Sequence, residues 1–210
     1  PPVDPNNESE LVVSTVNINE NGRRSPIPYK VPPDFSREID PTQQGNVEQN
    51  EQSLSIAVCD LGREDARGAY RTLNFDIRNY KTLKMFVHAE SNNAQDGDAI
   101  AIMRVGTDLE NNFYQYEVPL KITQNGDSDP GAIWPKENEF IVDLEEFYKL
   151  KLNRQLNQKE NPNGYYSEKL SNGHSISIVG LPDLSNVRTI LIGIKNSATS
   201  TTSDLCAEAW

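Results

Sequence analysis

Apolar and polar residues alternate in short runs along most of this chain, with a period of two rather than 3.6. From Thr82 to Glu90, Leu83, Met85, Val87 and Ala89 share one face, while Lys84, Phe86, His88 and Glu90 share the other. Tyr114, Tyr116, Val118, Leu120 and Ile122 form a second face of the same kind. Strand signals recur at Leu54–Leu61, Thr72–Ile77, Ala99–Gly106, Phe113–Ile122, Glu139–Val142, Ser175–Val179, Arg188–Lys195 and Leu205–Trp210, with turn residues between them. Arg188–Lys195 is apolar on both sides, which predicts a central strand covered on both faces. Short strands at this spacing predict an all-β fold, a sandwich or jelly roll.

One helix interrupts the strands. Asp143 with Glu146 three residues on makes a capping-box-like start. Leu144, Phe147 and Tyr148 then share a stripe that can pack on a sheet edge. The helix is expected over 143–156, before the loop chemistry of Asn161-Pro162-Asn163-Gly164. Ahead of the main β region, residues 1–10 read as a linker, Leu11–Ile18 as a short strand and Asn19–Gly22 as a turn. Five prolines between Ser25 and Pro41 predict a segment lying extended across the surface, because proline cannot donate to a ladder. The expected organisation is a proline-rich leading segment, 1–45, with one short strand packed on the surface, and a sandwich domain, 46–210. No internal repeat is visible.

The net charge of −11 changes what such a domain can bind. The longest basic run is Arg23-Arg24, so no clustered cationic surface exists for a nucleic-acid backbone, and that class of partner is excluded. No stretch reaches the roughly 18 continuous apolar residues of a membrane helix. A longer protein could still be embedded through β-strands, whose signal is weaker. The start at Pro1-Pro2, with neither initiator Met nor signal peptide, reads as a piece of something longer.

Candidate chemistry is sparse. His88 lies mid-strand with no second ligand at metal spacing, and His174 sits in the turn Asn172-Gly173-His174. No GxSxG elbow frames a nucleophile, so catalysis is not expected. Asp96-Gly97-Asp98 and Asp127-Ser128-Asp129 offer carboxylates for structural calcium, but DGD and DSD are also ordinary turns; no cofactor is expected. Exposed aromatics can form a platform for sugar rings. Tyr114 and Tyr116 belong to an apolar face and read as core, whereas Trp134, in Ala132-Ile133-Trp134-Pro135, and Tyr165-Tyr166 are freer. Cys59 and Cys206 pair if the strands that carry them are neighbours, and otherwise remain two buried thiols.

Several segments are worded distinctively: SREIDPTQQGNVEQNEQSLSIAVCDL (36–61), DARGAYRTLNFDIRNYKTLKMFVHAE (65–90), QDGDAIAIMRVGTDLENNFYQYEVPL (95–120), IWPKENEFIVDLEEFYKLK (133–151) and ISIVGLPDLSNVRTILIGIKN (176–196). In order over about 36–210, they resemble the SprA/Sov family, the very large surface proteins of gliding and type IX-secreting Bacteroidetes. That resemblance implies a galactose-binding-like jelly roll inside a giant outer-membrane β-barrel translocon, at the outer membrane or cell surface. The implied partners are the rest of the parent barrel, its partner subunits and secreted cargo, and the implied role is steric or docking. A carbohydrate-binding module is the alternative that the same fold offers. The candidate interaction surface is Phe86, His88, Phe113, Trp134, Tyr165 and Tyr166.

Overall fold

The computed structural model describes residues 9–39, 41, 42, 45, 47–198 and 204–210. Residues 1–8, the first part of the expected linker, lie outside the described residues, as do 40, 43, 44, 46 and 199–203.

The chain folds as an all-β sandwich of antiparallel sheets. The strands are β1 (Glu10–Asn17), β2 (Gln52–Leu61), β3 (Ala66–Phe75), β4 (Thr82–Met85), β5 (Ala89–Ser91), β6 (Ala99–Gly106), β7 (Phe113–Pro119), β8 (Phe140–Asp143), β9 (Tyr166–Lys169), β10 (Ser175–Val179), β11 (Val187–Asn196) and β12 (Leu205–Ala209). A six-stranded sheet has the order β3-β11-β6-β7-β10-β9. Facing it are a four-stranded sheet, β1-β2-β12-β5, and the pair β4-β8. The main core lies between these layers. Ala99, Ala101, Met103 and Val105 of β6 and Tyr114, Tyr116 and Val118 of β7 meet Ile56 and Val58 of β2 and Ala207 and Ala209 of β12. Every second residue points inward, which is the period read from the sequence.

The expected strand Thr82–Glu90 is two strands. β4 pairs with β8, whereas β5 pairs with β12, so the ladder changes partner across Phe86–His88. Before the break the alternation holds, with Lys84 exposed and Leu83 and Met85 packed on the core. Beyond it Val87 and Ala89 still face the main core, while His88, on the opposite face, is fully buried beneath Trp134 and Trp210, which corrects its expected place in an accessible surface. The backbone of His88 also exchanges hydrogen bonds with Trp210, which carries the β5–β12 ladder one step further. β3 begins at Ala66 rather than Thr72, and β9 was not foreseen. Both are edge strands of mixed composition, where neither face is dry enough to impose alternation. β7 ends at Pro119, short of the expected Ile122, and one further bond, from the Leu120 N–H to the Ala99 carbonyl at 2.9 Å, continues its pairing with β6.

Helix α1 is a single turn (Ile18–Asn21), where the sequence suggests a turn, and α2 is another (Pro130–Ile133). Helix α3 runs Leu144–Asn157, and Asp143 caps it by accepting from the Glu145 N–H at 3.0 Å. Its buried stripe is Leu144, Phe147, Leu150 and Arg154, while Tyr148 stands in solvent. Tyr148 therefore leaves the expected packing stripe: at 100° per residue, 144, 147, 150 and 154 share a side that 148 does not. The Phe147 ring stacks on Tyr114 with centroids 4.6 Å apart. Arg154 reaches across to the carbonyls of Gly164 (3.2 Å) and Gly180 (2.8 Å), tying the helix to the loops on either side of β9 and β10.

The proline-rich segment does more than cross the surface. Ile27 and Tyr29 join Val16, Ile133, Trp134 and Trp210 in a second buried cluster on the outer side of the four-stranded sheet. Tyr29, Trp134 and Trp210 pack ring against ring, with centroids 5.2–6.1 Å apart. Cys59 and Cys206 form a disulfide between β2 and β12. The bond sits at a bulge, where Cys59 and Asp60 together oppose Cys206, between the pairs Leu205–Leu61 and Ala207–Val58.

Candidate functional site

The register of β5 and β12 places Glu208 directly opposite Glu90. Like charges in such a pair are destabilising unless a cation lies between them. Arg24 supplies it: its Nη2 donates to Glu90 and, at 2.8 Å, to Glu208 Oε2. Ser55 donates to the other Glu208 oxygen at 2.7 Å, and His88 Nε2 lies 3.5 Å from Glu90. Burial alone would raise the Glu90 carboxyl, but His88 and Arg24 outweigh it and hold the group below its ordinary value. Arg24, Glu90 and Glu208 line a cleft of about 340 Å³ whose wall also includes the disulfide, Asn92 and Asn125. The Arg24 guanidinium between the two carboxylates clamps the Arg24 loop to the sheet.

The two histidines are each built in. His88 Nδ1 lies 2.9 Å from the Ile133 carbonyl, and the ring stacks on Trp210 with centroids 3.8 Å apart. His174 Nδ1 meets the Tyr116 hydroxyl at 2.9 Å, and Asn172 Nδ2 donates to the same hydroxyl at 3.3 Å. Burial lowers the His174 ring below its ordinary value, against a backbone bond to Glu137. The acidic turns are likewise engaged. Asp96 accepts from the Ile122 N–H, Asp98 from Gln95, and Asp129 caps α2 by accepting from Ala132. Among the described residues, no three His, Cys, Asp or Glu groups gather as a metal site.

The proposed set Phe86, His88, Phe113, Trp134, Tyr165 and Tyr166 does not form one surface. His88, Phe113 and Trp134 are interior, and Phe86 lies half-buried against the second cluster. Trp134 is 3% exposed and spends its indole N–H on the Lys30 carbonyl at 2.8 Å; the proline-rich segment covers it. Phe113 lies beneath the Arg104 guanidinium, 3.9 Å from the ring centre. Tyr166 donates to Glu168 from β9 and is partly buried. Tyr165 alone, 62% exposed, stands free.

Exposed apolar groups gather elsewhere. On α3, Tyr148, Leu152 and Leu156 follow one another at i, i+4 and i+8 and are all exposed. The Phe75 ring, at the end of β3, and the Tyr80 ring, in the loop that follows, are also exposed and meet tilted with centroids 5.6 Å apart. Leu181 is exposed beside Gly180, the acceptor of Arg154. The loops are held to one another by the Ile77 N–H, which donates to Leu184. Arg78 feels both Asp183 and Tyr148, which puts loop, loop and helix at one end of the sandwich. Exposed apolar groups in such concentration mark interaction surfaces.

A family model described as motility related/secretion protein, SprA_N, matches residues 2–210. The chain belongs to that family. No curated protein matches it. The i, i+4, i+8 spacing is present in the sequence, but Tyr148 is expected there in the packing stripe with Leu144 and Phe147. Only the buried stripe at 144, 147 and 150 shows that α3 carries two apolar sides. Among the described residues, no helix is long and apolar enough to cross a membrane.

Proposed function

We propose that this domain is a non-catalytic accessory unit of the type IX secretion translocon at the outer membrane. It supports export and gliding by docking against the parent barrel or its partner subunits. The observation that carries this reading is the apolar end face of Phe75, Tyr80, Tyr148, Leu152, Leu156 and Leu181 on an otherwise acidic chain. Net charge keeps the remaining surface soluble and discourages adhesion of acidic cargo. The lowered Glu90, the built-in histidines and the Arg24 clamp all favour a role without chemistry. The carbohydrate-binding reading rested on Trp134 and Tyr165-Tyr166 as a platform; Trp134 is core, and of the three only Tyr165 stands exposed.

The test is made in the intact parent protein. Leu152→Ser with Leu156→Ser alters two exposed positions and leaves the buried stripe alone, so barrel assembly should survive while export of type IX cargo falls. Normal export and gliding from an assembled double variant would remove the docking role from this face.

A further inference from the structure

The edge of β1 is built unlike the other free edges. β1 runs in register with β2 over all eight of its residues without a shift, and among the described residues no strand lies on its other side. The Ile18 N–H donates to the Glu51 carbonyl at 3.0 Å, which continues that register and sets its phase. In an antiparallel pair, every second residue turns both backbone groups to its neighbour. The even-numbered residues therefore bond β2, and Leu11, Val13 and Thr15 aim N–H and C=O outward. Asn17 shows the same phase, since its N–H goes to Asn21 Oδ1 at 2.9 Å and not to β2. Among the described residues, nothing pairs with the outward groups of Leu11, Val13 and Thr15.

Natural sheets protect such edges with Lys, Pro, bulges or very short strands. β3, the edge of the larger sheet, carries Arg67 and Arg71 and a register shift near Val187 and Thr189. β8 and β9 have four residues each. β1 (ELVVSTVN) has none of these devices, and Val12 and Val13 are 47% and 44% exposed. Charge stands only around it: Glu10 at one end, with Glu20 and Glu51 beyond the other. An unguarded, β-branched edge with acidic ends fits one kind of occupant. We infer that β1 is a strand-addition site, which takes an extended segment of another polypeptide whose β-branched run is flanked by Lys or Arg. The inference rests on the docking reading of the domain but uses a different surface.

Hydrogen exchange on the intact parent protein, resolved to single amides, tests it. An occupied edge gives Val13 and Thr15 the same protection as the ladder amides of Val12 and Ser14. An open edge lets Val13 and Thr15 exchange on the order of 100-fold faster, and that result overturns the inference. Val13→Pro deletes an outward N–H and no β2 bond, so Thr15 should lose protection while Val12 and Ser14 keep theirs. If that proline also melts the ladder, Val12→Lys with Ser14→Lys, both at exposed positions, should give the same selective loss; unchanged Thr15 protection in either variant overturns the proposal. Carbodiimide coupling should link Glu10 or Glu20 to a lysine beside an extended β-branched segment. Coupling only to helical or acidic segments rejects the stated partner. Protection of Val13 and Thr15 that persists in the Leu152→Ser, Leu156→Ser variant separates this site from the end face, whichever of the two readings fails.

Discussion

The disulfide carries the strongest prediction. Cys59 and Cys206 are 147 residues apart in sequence and join the second strand to the last. Reduction, or Cys59→Ser with Cys206→Ser, frees β12 while leaving every other covalent bond in place. Closing a loop of that length removes chain entropy from the unfolded state worth about 5 kcal/mol. A domain has only about 5–15 kcal/mol of net stability, so the loss should be a large part of the whole. The packing argument points the same way. Leu205, Ala207 and Ala209 of β12 belong to the main core, and Trp210 belongs to the second cluster, so fraying of this strand opens both. Denaturant unfolding of the oxidised chain, the reduced chain and the double serine variant measures the effect. The reduced chain and the variant should share a midpoint well below that of the oxidised protein. Equal midpoints for oxidised and reduced chains, with the bond confirmed by mass, would show that β12 is held by its ladders alone and would refute the reasoning.

Other expectations are smaller and separable. Phe147→Ala should cost about 3–5 kcal/mol, because its buried ring stacks on Tyr114. Tyr148→Ala, one residue on but exposed, should stay within about 0.5 kcal/mol, and a larger effect in a reversible melt would put the helix in the wrong rotation. Arg24→Ala leaves Glu90 facing Glu208 unneutralised and should cost about 1.5–3 kcal/mol, recoverable in part by adding Glu208→Gln. Glu90 has a folded-state value below its ordinary 4.5. Its contribution is therefore present above that value and lost as pH falls through the lower folded one. Glu90→Gln should flatten the acid limb of the stability curve, and an unchanged limb would show that the clamp does not titrate with folding.

The strand list was legible wherever one face of a strand meets the core and the other does not. The faces of Thr82–Met85 and Phe113–Pro119 were read for that reason, although the expected strands Thr82–Glu90 and Phe113–Ile122 both run past the observed ends, and Tyr114 and Tyr116 were recognised as core by their alternation. Legibility failed where a residue's surroundings come from distant chain. Trp134 looks free beside Pro135, but Lys30 and Tyr29 close over it from a hundred residues away. His88 lies on the polar side of its alternation, yet the break at Phe86–His88 gives that side a cover of its own. The disulfide was undecidable because pairing depends on β2 and β12 being neighbours, which no local pattern encodes. The end face was hidden by its likeness to a core stripe.

These distant closures bear on how a domain without chemistry could work. A docking unit transmits position only if its contact surfaces keep a fixed relation to one another. Here both termini of the described sandwich are fastened to the same small sheet. β1 is laddered to β2, and β12 is laddered and disulfide-bonded to it. The Arg24 loop, which follows β1, is clamped to Glu90 on β5 and Glu208 on β12. On the far side, Arg154 and the stack of Phe147 on Tyr114 fix α3 to the larger sheet. The open edge at β1 and the apolar end face at α3 are thus joined through one continuous core. Loosening that core should uncouple them even if each surface is intact. In the intact parent protein, Phe147→Ala should therefore impair export more than Glu145→Ala, an exposed change on α3 outside the apolar face, does at equal assembly. Equal export from the two would mean that the surfaces act independently of the sandwich between them.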